Sequence, residues 1–276
     1  MTYDPLGGGA LDYLPCRYGT SKLLFRGPRR RPDGNHIAVL GGTESYGKFI
    51  ETPWPDLLEQ VTGRQVVNLS QLNAGIDVYL NDRTVQDLCQ QAHVTVIELL
   101  GAQNLSNRFY AVHPRRNDRF LRASTLMKTI YREIDFTEFH FTRHLLAGLR
   151  DASPEKFEMI SGELKDAWVA RMQKLIETIS GRVILLWMAD HAPGKAGGDP
   201  LARGGPLLVD QAMIDVLRPR VSAVVEIIGN PEERAEGLGQ MHFGDLDASA
   251  AAELLGPVVH KRAARQLGEL IRTPDR

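Results

Sequence analysis

Five short apolar runs, separated by segments of helical periodicity, constrain this chain more than any other feature. They are HIAVL (36–40), QVVNL (65–69), VTVIELL (94–100), RVILLWMA (182–189) and SAVVEII (222–228). Most are continuous β-branched and aliphatic stretches, as strands buried on both faces must be. Between the third and fourth lies the clearest helix, predicted over 154–180, with Phe157, Ile160, Leu164, Trp168, Met172, Leu175 and Ile179 at helical spacing and Gly181 as the stop. Strands alternating with helices predict a three-layer α/β/α arrangement around a parallel sheet of about five strands, flavodoxin-like in order. Two segments stand outside the alternation. Residues 1–34 form a turn-rich N-terminal extension with Arg26, Arg29, Arg30 and Arg31 close together, and residues 105–150 form an insertion rich in Arg, His and aromatics, expected to be a helical lid. Neither shows repeats or low complexity, so 1–276 is read as a single domain.

Composition narrows the partners. The 33 basic and 34 acidic side chains nearly cancel, which argues against nucleic acid or an anionic membrane as ligand. No apolar run reaches the roughly 20 residues of a membrane-spanning helix. The N-terminus carries no basic stretch followed by an apolar core, so a cytoplasmic protein is expected. Cys16 and Cys89 lack the close spacing of a zinc or redox pair. His140 and His144 sit at helical spacing without a third ligand, and no Walker or dinucleotide motif is present, so neither metal nor cofactor is expected.

In a parallel sheet the ligand site lies beyond the carboxyl ends of the strands. Here those ends carry GGTESYG, SQLNAG, GAQNLSN and DHAPGKAGG, polar turns that converge on one place. The first runs from IAVL through two glycines into a helix start, where a hydroxyl would lie beside unpaired N–H groups. Thr43 or Ser45 can be read there as a nucleophile, or Thr43 as a simple helix cap. Thr43 has the better position and Ser45 the better chemistry, because the Thr methyl crowds attack. Glu44 reads as a partner of the helix N-terminus rather than a general acid.

The order of these blocks resembles the SGNH, or GDSL-like, hydrolase superfamily, over roughly residues 36–107. GGTESYG aligns Gly41, Thr43, Ser45 and Gly47 with its first block, NLSQLNAG (68–75) resembles the second, and GAQNLSN supplies Gly101 and Asn104 for the third. The chain as a whole is also similar to a family of alphaproteobacterial proteins with no assigned activity. The superfamily resemblance implies a nucleophile, a histidine base and oxyanion donors, the last carried over to Gly75 and Asn104. It also places a histidine near the final helix, which makes His260, after Gly256-Pro257, the first choice of base. His242 and His191 are runners-up, with Asp190 or Asp245 to orient a base. The sequence departs from the pattern in three ways. Gly42 and Thr43 stand for Asp and Ser, Asn104 follows Gly101 by three residues rather than two, and no Asp-x-x-His precedes the last helix.

HPRRNDR (113–119) is the remaining constellation. Arg115, Arg116 and Arg119 can be read as a fork for an anionic substrate group overhanging the pocket, or as a solvated surface. The expectation is therefore a hydrolase or acyltransferase acting on an ester or acyl group of a small or carbohydrate substrate. The alternatives are a catalytically degenerate member that binds an anionic or sugar ligand, and a transferase of sulfate or another anionic group.

Overall fold

A computed structural model describes residues 11–194, 201 and 204–272. The first ten residues of the N-terminal extension and Lys195–Gly198 of the fourth polar turn lie outside the described residues. The strands are β1 (Ile37–Leu40), β2 (Val66–Asn68), β3 (Val94–Glu98), β4 (Tyr110–His113), β5 (Arg116–Ala123), β6 (Arg182–Ala189) and β7 (Ala223–Ile228). Five of them form one parallel sheet in the order β2-β1-β3-β6-β7, which is the expected flavodoxin-like order.

Both faces of this sheet are covered, which is why its strands are apolar without alternation. Ile37, Val39, Val94, Val96, Ile184 and Leu186 share one core with Trp54, Leu58, Val259 and Leu267. Those partners belong to helices Trp54–Thr62 and Pro257–Arg272, which pack on each other. The alternate residues Ala38, Leu40, Ile97, Leu99, Leu185 and Trp187 join Ile160, Leu164 and Trp168 on the opposite face. The parity matters for the site: Glu98 continues the Val94–Val96 row, on the side of the final helix.

The long helix runs Pro154–Glu177, shorter than the sequence pattern suggests. Thr178 closes it by donating its N–H to Lys174 O and its hydroxyl to Leu175 O, so Ile179 is buried beyond the helix end. The insertion contains the expected helices, Thr125–Ile130 and Thr142–Ala152, and begins with an antiparallel β4–β5 hairpin that the sequence reading did not anticipate. Its pairing register shifts between Ala111 and Val112 and again between Val112 and His113. No helix among the described residues is long and apolar enough to cross a membrane.

Candidate active site

A cleft of about 430 Å³ opens at the carboxyl ends of β1, β3 and β6. Its wall takes Thr43 from the first polar turn, Asn73 from the second, Asn104 from the third and Asp190 from the end of β6. The convergence of turns read from the sequence is thus a real cavity, in the place that a parallel sheet provides for a ligand.

The turn after β1 folds onto Glu98. Gly42 N–H and Ser45 N–H both donate to Glu98 Oε2, each at 2.9 Å. Gly41 must be glycine for this, since a Cβ there would lie 2.5 Å from Glu98 Oε2 and 2.6 Å from Ser45 Cβ. From below, the buried Arg26 guanidinium donates to the carbonyls of Tyr46, Gly47, Ile50 and Glu51, at 2.5 to 3.3 Å. Arg26 therefore fastens the chain that leaves the turn, and its charge is spent inside the protein.

Within the turn, the two candidate hydroxyls part company. Thr43 lines the cleft, and its Oγ1 accepts Asn73 N–H at 3.0 Å while lying 3.2 Å from Asn73 Oδ1 as donor. Ser45 is fully buried. Its Oγ accepts Trp54 Nε1–H at 3.1 Å and bonds the Glu98 carboxyl, and its carbonyl accepts Asn68 Nδ2–H at 2.8 Å. A hydroxyl so enclosed holds the turn and Glu98 in place, so Ser45 is a structural group without a path to substrate.

Two carboxyls of the cleft are displaced from their usual ionisation range. Burial pushes Glu98 up to about 7, opposed by its hydrogen bonds to Ser45 and Gly42. Burial pushes Glu44 up to about 8, opposed by the Leu255 N–H that its Oε1 accepts at 3.1 Å. Glu44 thus reaches across to the segment before the final helix, not back to its own helix terminus as the sequence suggests. Glu98 was missed altogether. Its signal was a lone acid in the apolar run VTVIELL, which a strand buried on both faces tolerates only with a dedicated set of donors.

His260 is fully buried on the first turn of the final helix. Its Nδ1 accepts Trp54 N–H at 3.0 Å, so the neutral ring carries its proton on Nε2. That Nε2 lies 3.7 Å from Glu44 Oε2 and has no acceptor at close hydrogen-bond geometry, although the Leu255 backbone acts on the ring. Burial holds the imidazole down to about 4. A ring that presents N–H toward the turn, beneath the cleft, is arranged as a donor rather than as a base for either hydroxyl.

The remaining sequence candidates divide similarly. Gly75 N–H is already taken by Asn117 Oδ1 at 3.1 Å, which also accepts Val78 N–H. The hairpin thereby caps helix Ile76–Leu80, and Gly75 has no N–H to offer an oxyanion. Gly75 is glycine because a Cβ would sit 1.6 Å from Asn104 O. Asn104 lines the cleft, donates from Nδ2 to Asn73 O at 3.0 Å and accepts the Thr142 hydroxyl at 2.6 Å, leaving one amide hydrogen for a ligand. Arg115, Arg116 and Arg119 are exposed and do not line the cleft. The hairpin turns Asn117 and Phe120 inward and presents Asp118 to the cleft, while Arg119 stacks over Phe141 at 5.6 Å. His191 pairs with Asp190 at 2.8 Å, and His242 is an exposed partner of Glu51 at 3.8 Å. His144 stacks against Phe139 at 4.9 Å, and no metal-binding cluster occurs among the described residues.

By sequence, the chain matches the model of a domain of unknown function, DUF6473, over residues 1–274, and it belongs to that family. No curated protein is significantly similar in sequence. Among solved structures, the lipase Lip_vut3 from a goat rumen metagenome aligns with 86% of this chain and 97% of its own, at 11% identity and a TM-score of 0.42. That likeness is too distant to carry an argument about activity.

Proposed function

We propose that this DUF6473 protein is a hydrolase or acyltransferase of SGNH-like layout, acting on an ester or acyl group of a small or carbohydrate substrate. The observation that carries the reading is the pair of glutamates in one cleft, Glu98 at about 7 and Glu44 at about 8, against an ordinary 4.5. Two carboxyls separated in this way supply, near neutral pH, one anion to accept a proton and one acid to donate it. In this mechanism Thr43 Oγ attacks the acyl carbon and its proton passes to Glu98, directly or through one water. The Asn104 amide hydrogen holds the oxyanion, and Glu44 protonates the departing alkoxide. Water then attacks the acyl-Thr43 ester with Glu44 accepting its proton, and Glu98 returns its proton to the departing Thr43 oxygen, which restores both carboxyls.

Hydrolysis of short p-nitrophenyl esters across pH tests this. The rate is expected to rise through about 7 as Glu98 ionises and to fall beyond about 8 as Glu44 loses its proton. Glu98→Gln should remove the rising limb and lower kcat by about 10²–10⁴-fold. Loss of activity in Glu98→Gln but not in Thr43→Ala would make water the nucleophile. Absence of ester turnover by the unmodified protein would end the enzymatic reading.

A second reading, a non-catalytic pocket, is supported by the two hydrogen bonds that hold the Thr43 hydroxyl against Asn73. Its ligand would be neutral or cationic rather than anionic, because the wall carries Glu44, Glu98, Asp118, Asp190 and Glu253, with Arg143 paired to Glu253 at 3.7 Å. The same wall gives no support to transfer of an anionic group. Thermal stabilisation by an uncharged sugar ester, without turnover, would support this reading.

A further inference from the structure

One buried group at the site is left unexplained by the mechanism above. His260 Nε2 is enclosed, carries a proton, and has no acceptor at close hydrogen-bond geometry; the Leu255 backbone acts on the ring, and Glu44 Oε2 lies at 3.7 Å. An interior N–H without a close acceptor is costly, so a carboxylate that can approach it is a favourable partner. The ring cannot answer by turning over, because Trp54 N–H occupies Nδ1 at 3.0 Å and fixes the tautomer. Trp54 is itself held, since its Nε1–H is bonded to Ser45 Oγ at 3.1 Å.

We propose that His260 is a positioning residue for Glu44: its Nε2–H donates to the Glu44 carboxylate whenever that carboxyl is ionised, and the Trp54 N–H at Nδ1 fixes the ring for that purpose. This rests on the reading of Glu44 as the acid of the site. When Glu44 gives its proton to the leaving group, Oε1 keeps the Leu255 N–H and Oε2 closes the gap to Nε2. The imidazole keeps its own proton throughout, so charge moves only onto Glu44.

Other groups act on this carboxyl. Leu255 N–H comes from the segment before the final helix, Arg234 from helix Pro231–Leu238 favours the anion, and Asp190 at the end of β6 opposes it. Glu98 from β3 is coupled to both Glu44 and His260, and Arg26 opposes a positive charge on the imidazole. The Asp190–Arg234 ion pair at 2.6 Å largely cancels within itself. Of these, His260 offers a buried ring N–H that has no close acceptor and lies 3.7 Å from the Glu44 carboxyl.

The test follows the Glu44 carboxyl by NMR in protein labelled with ¹³C-glutamate, alongside the ¹⁵N–¹H signal of His260 Nε2. An asparagine at 260 keeps an acceptor near the Nδ1 position and loses the distal donor, whereas a glutamine places a donor near Nε2. The Glu44 midpoint is expected to rise by about one pH unit in His260→Asn and to stay near its wild-type value in His260→Gln. The Nε2–H signal of the unmodified protein should shift through the same pH range as Glu44 and lose that shift in Glu44→Gln. If His260→Asn does not fold, this second measurement decides the matter without it. An Nε2–H signal indifferent to Glu44 ionisation, or equal midpoints in the two His260 variants, overturns the proposal. Neither readout needs turnover, so a failed esterase assay and a failed Glu44–His260 coupling are distinguishable.

Discussion

At the floor of the cleft, Glu98 sits under a tight turn with two backbone N–H groups on one oxygen, and burial displaces its ionisation to about 7. On the hairpin beside the cleft, Arg115, Arg116 and Arg119 stand in solvent and line no part of it. The sequence makes the second region conspicuous and the first nearly invisible. Chemical weight follows enclosure rather than charge density: a carboxyl held out of water responds strongly to its neighbours, whereas interactions between exposed charges are screened by solvent.

The contrast can be broken most severely at Gly41. Gly41→Ala puts a methyl against Glu98 and Ser45, and should cost about 3 kcal/mol or abolish folding, as read by urea denaturation. Next comes the one hairpin side chain that turns inward. Asn117→Ala strips the acceptor from Gly75 and Val78 N–H and should cost about 2 kcal/mol. A loss as small as that of a surface substitution would show that the hairpin is not needed to hold the second loop.

The pH response separates floor from rim more gently. Glu44 and Glu98 have folded-state ionisation raised above the ordinary 4.5, so the folded protein binds their protons more tightly than the unfolded chain does. Their contribution to stability is therefore fully present below about 4.5 and is lost as pH rises through about 7 and 8. Melting curves of Glu44→Gln and Glu98→Gln should fall less steeply over that window than those of the parent. The smallest effect belongs to the rim. Arg115→Ala with Arg116→Ala should change stability by less than about 0.5 kcal/mol and ester turnover by less than about twofold. A larger loss of turnover would bring the hairpin arginines back to the substrate.

The turn itself shows how far a sequence can be read. IAVLGGTESYG announced a strand, a tight corner and a helix start, and all three are present, because β-branched runs and glycine pairs act locally. Gly75 and Asn104 looked alike as donors in their loops, yet Gly75 N–H is consumed by Asn117, forty-two residues away, while Asn104 lines the cleft and spends one amide hydrogen on Asn73 O. Nothing local to Gly75 reveals that partner. His260 opens the final helix, as the sequence indicated, but whether its ring accepts or donates depends on Trp54, 206 residues earlier.

The five strands, their helices and the end of the sheet that holds the cleft were determined by the sequence alone, because hydrophobic periodicity and turn chemistry are short-range properties. The tertiary structure alone decided which polar groups face the cleft and which are consumed beneath it. Ionisation and hydrogen-bond roles depend on burial and on partners brought together from distant segments. Glu98 therefore becomes a candidate base only once Gly42, Ser45 and the final helix have closed around it.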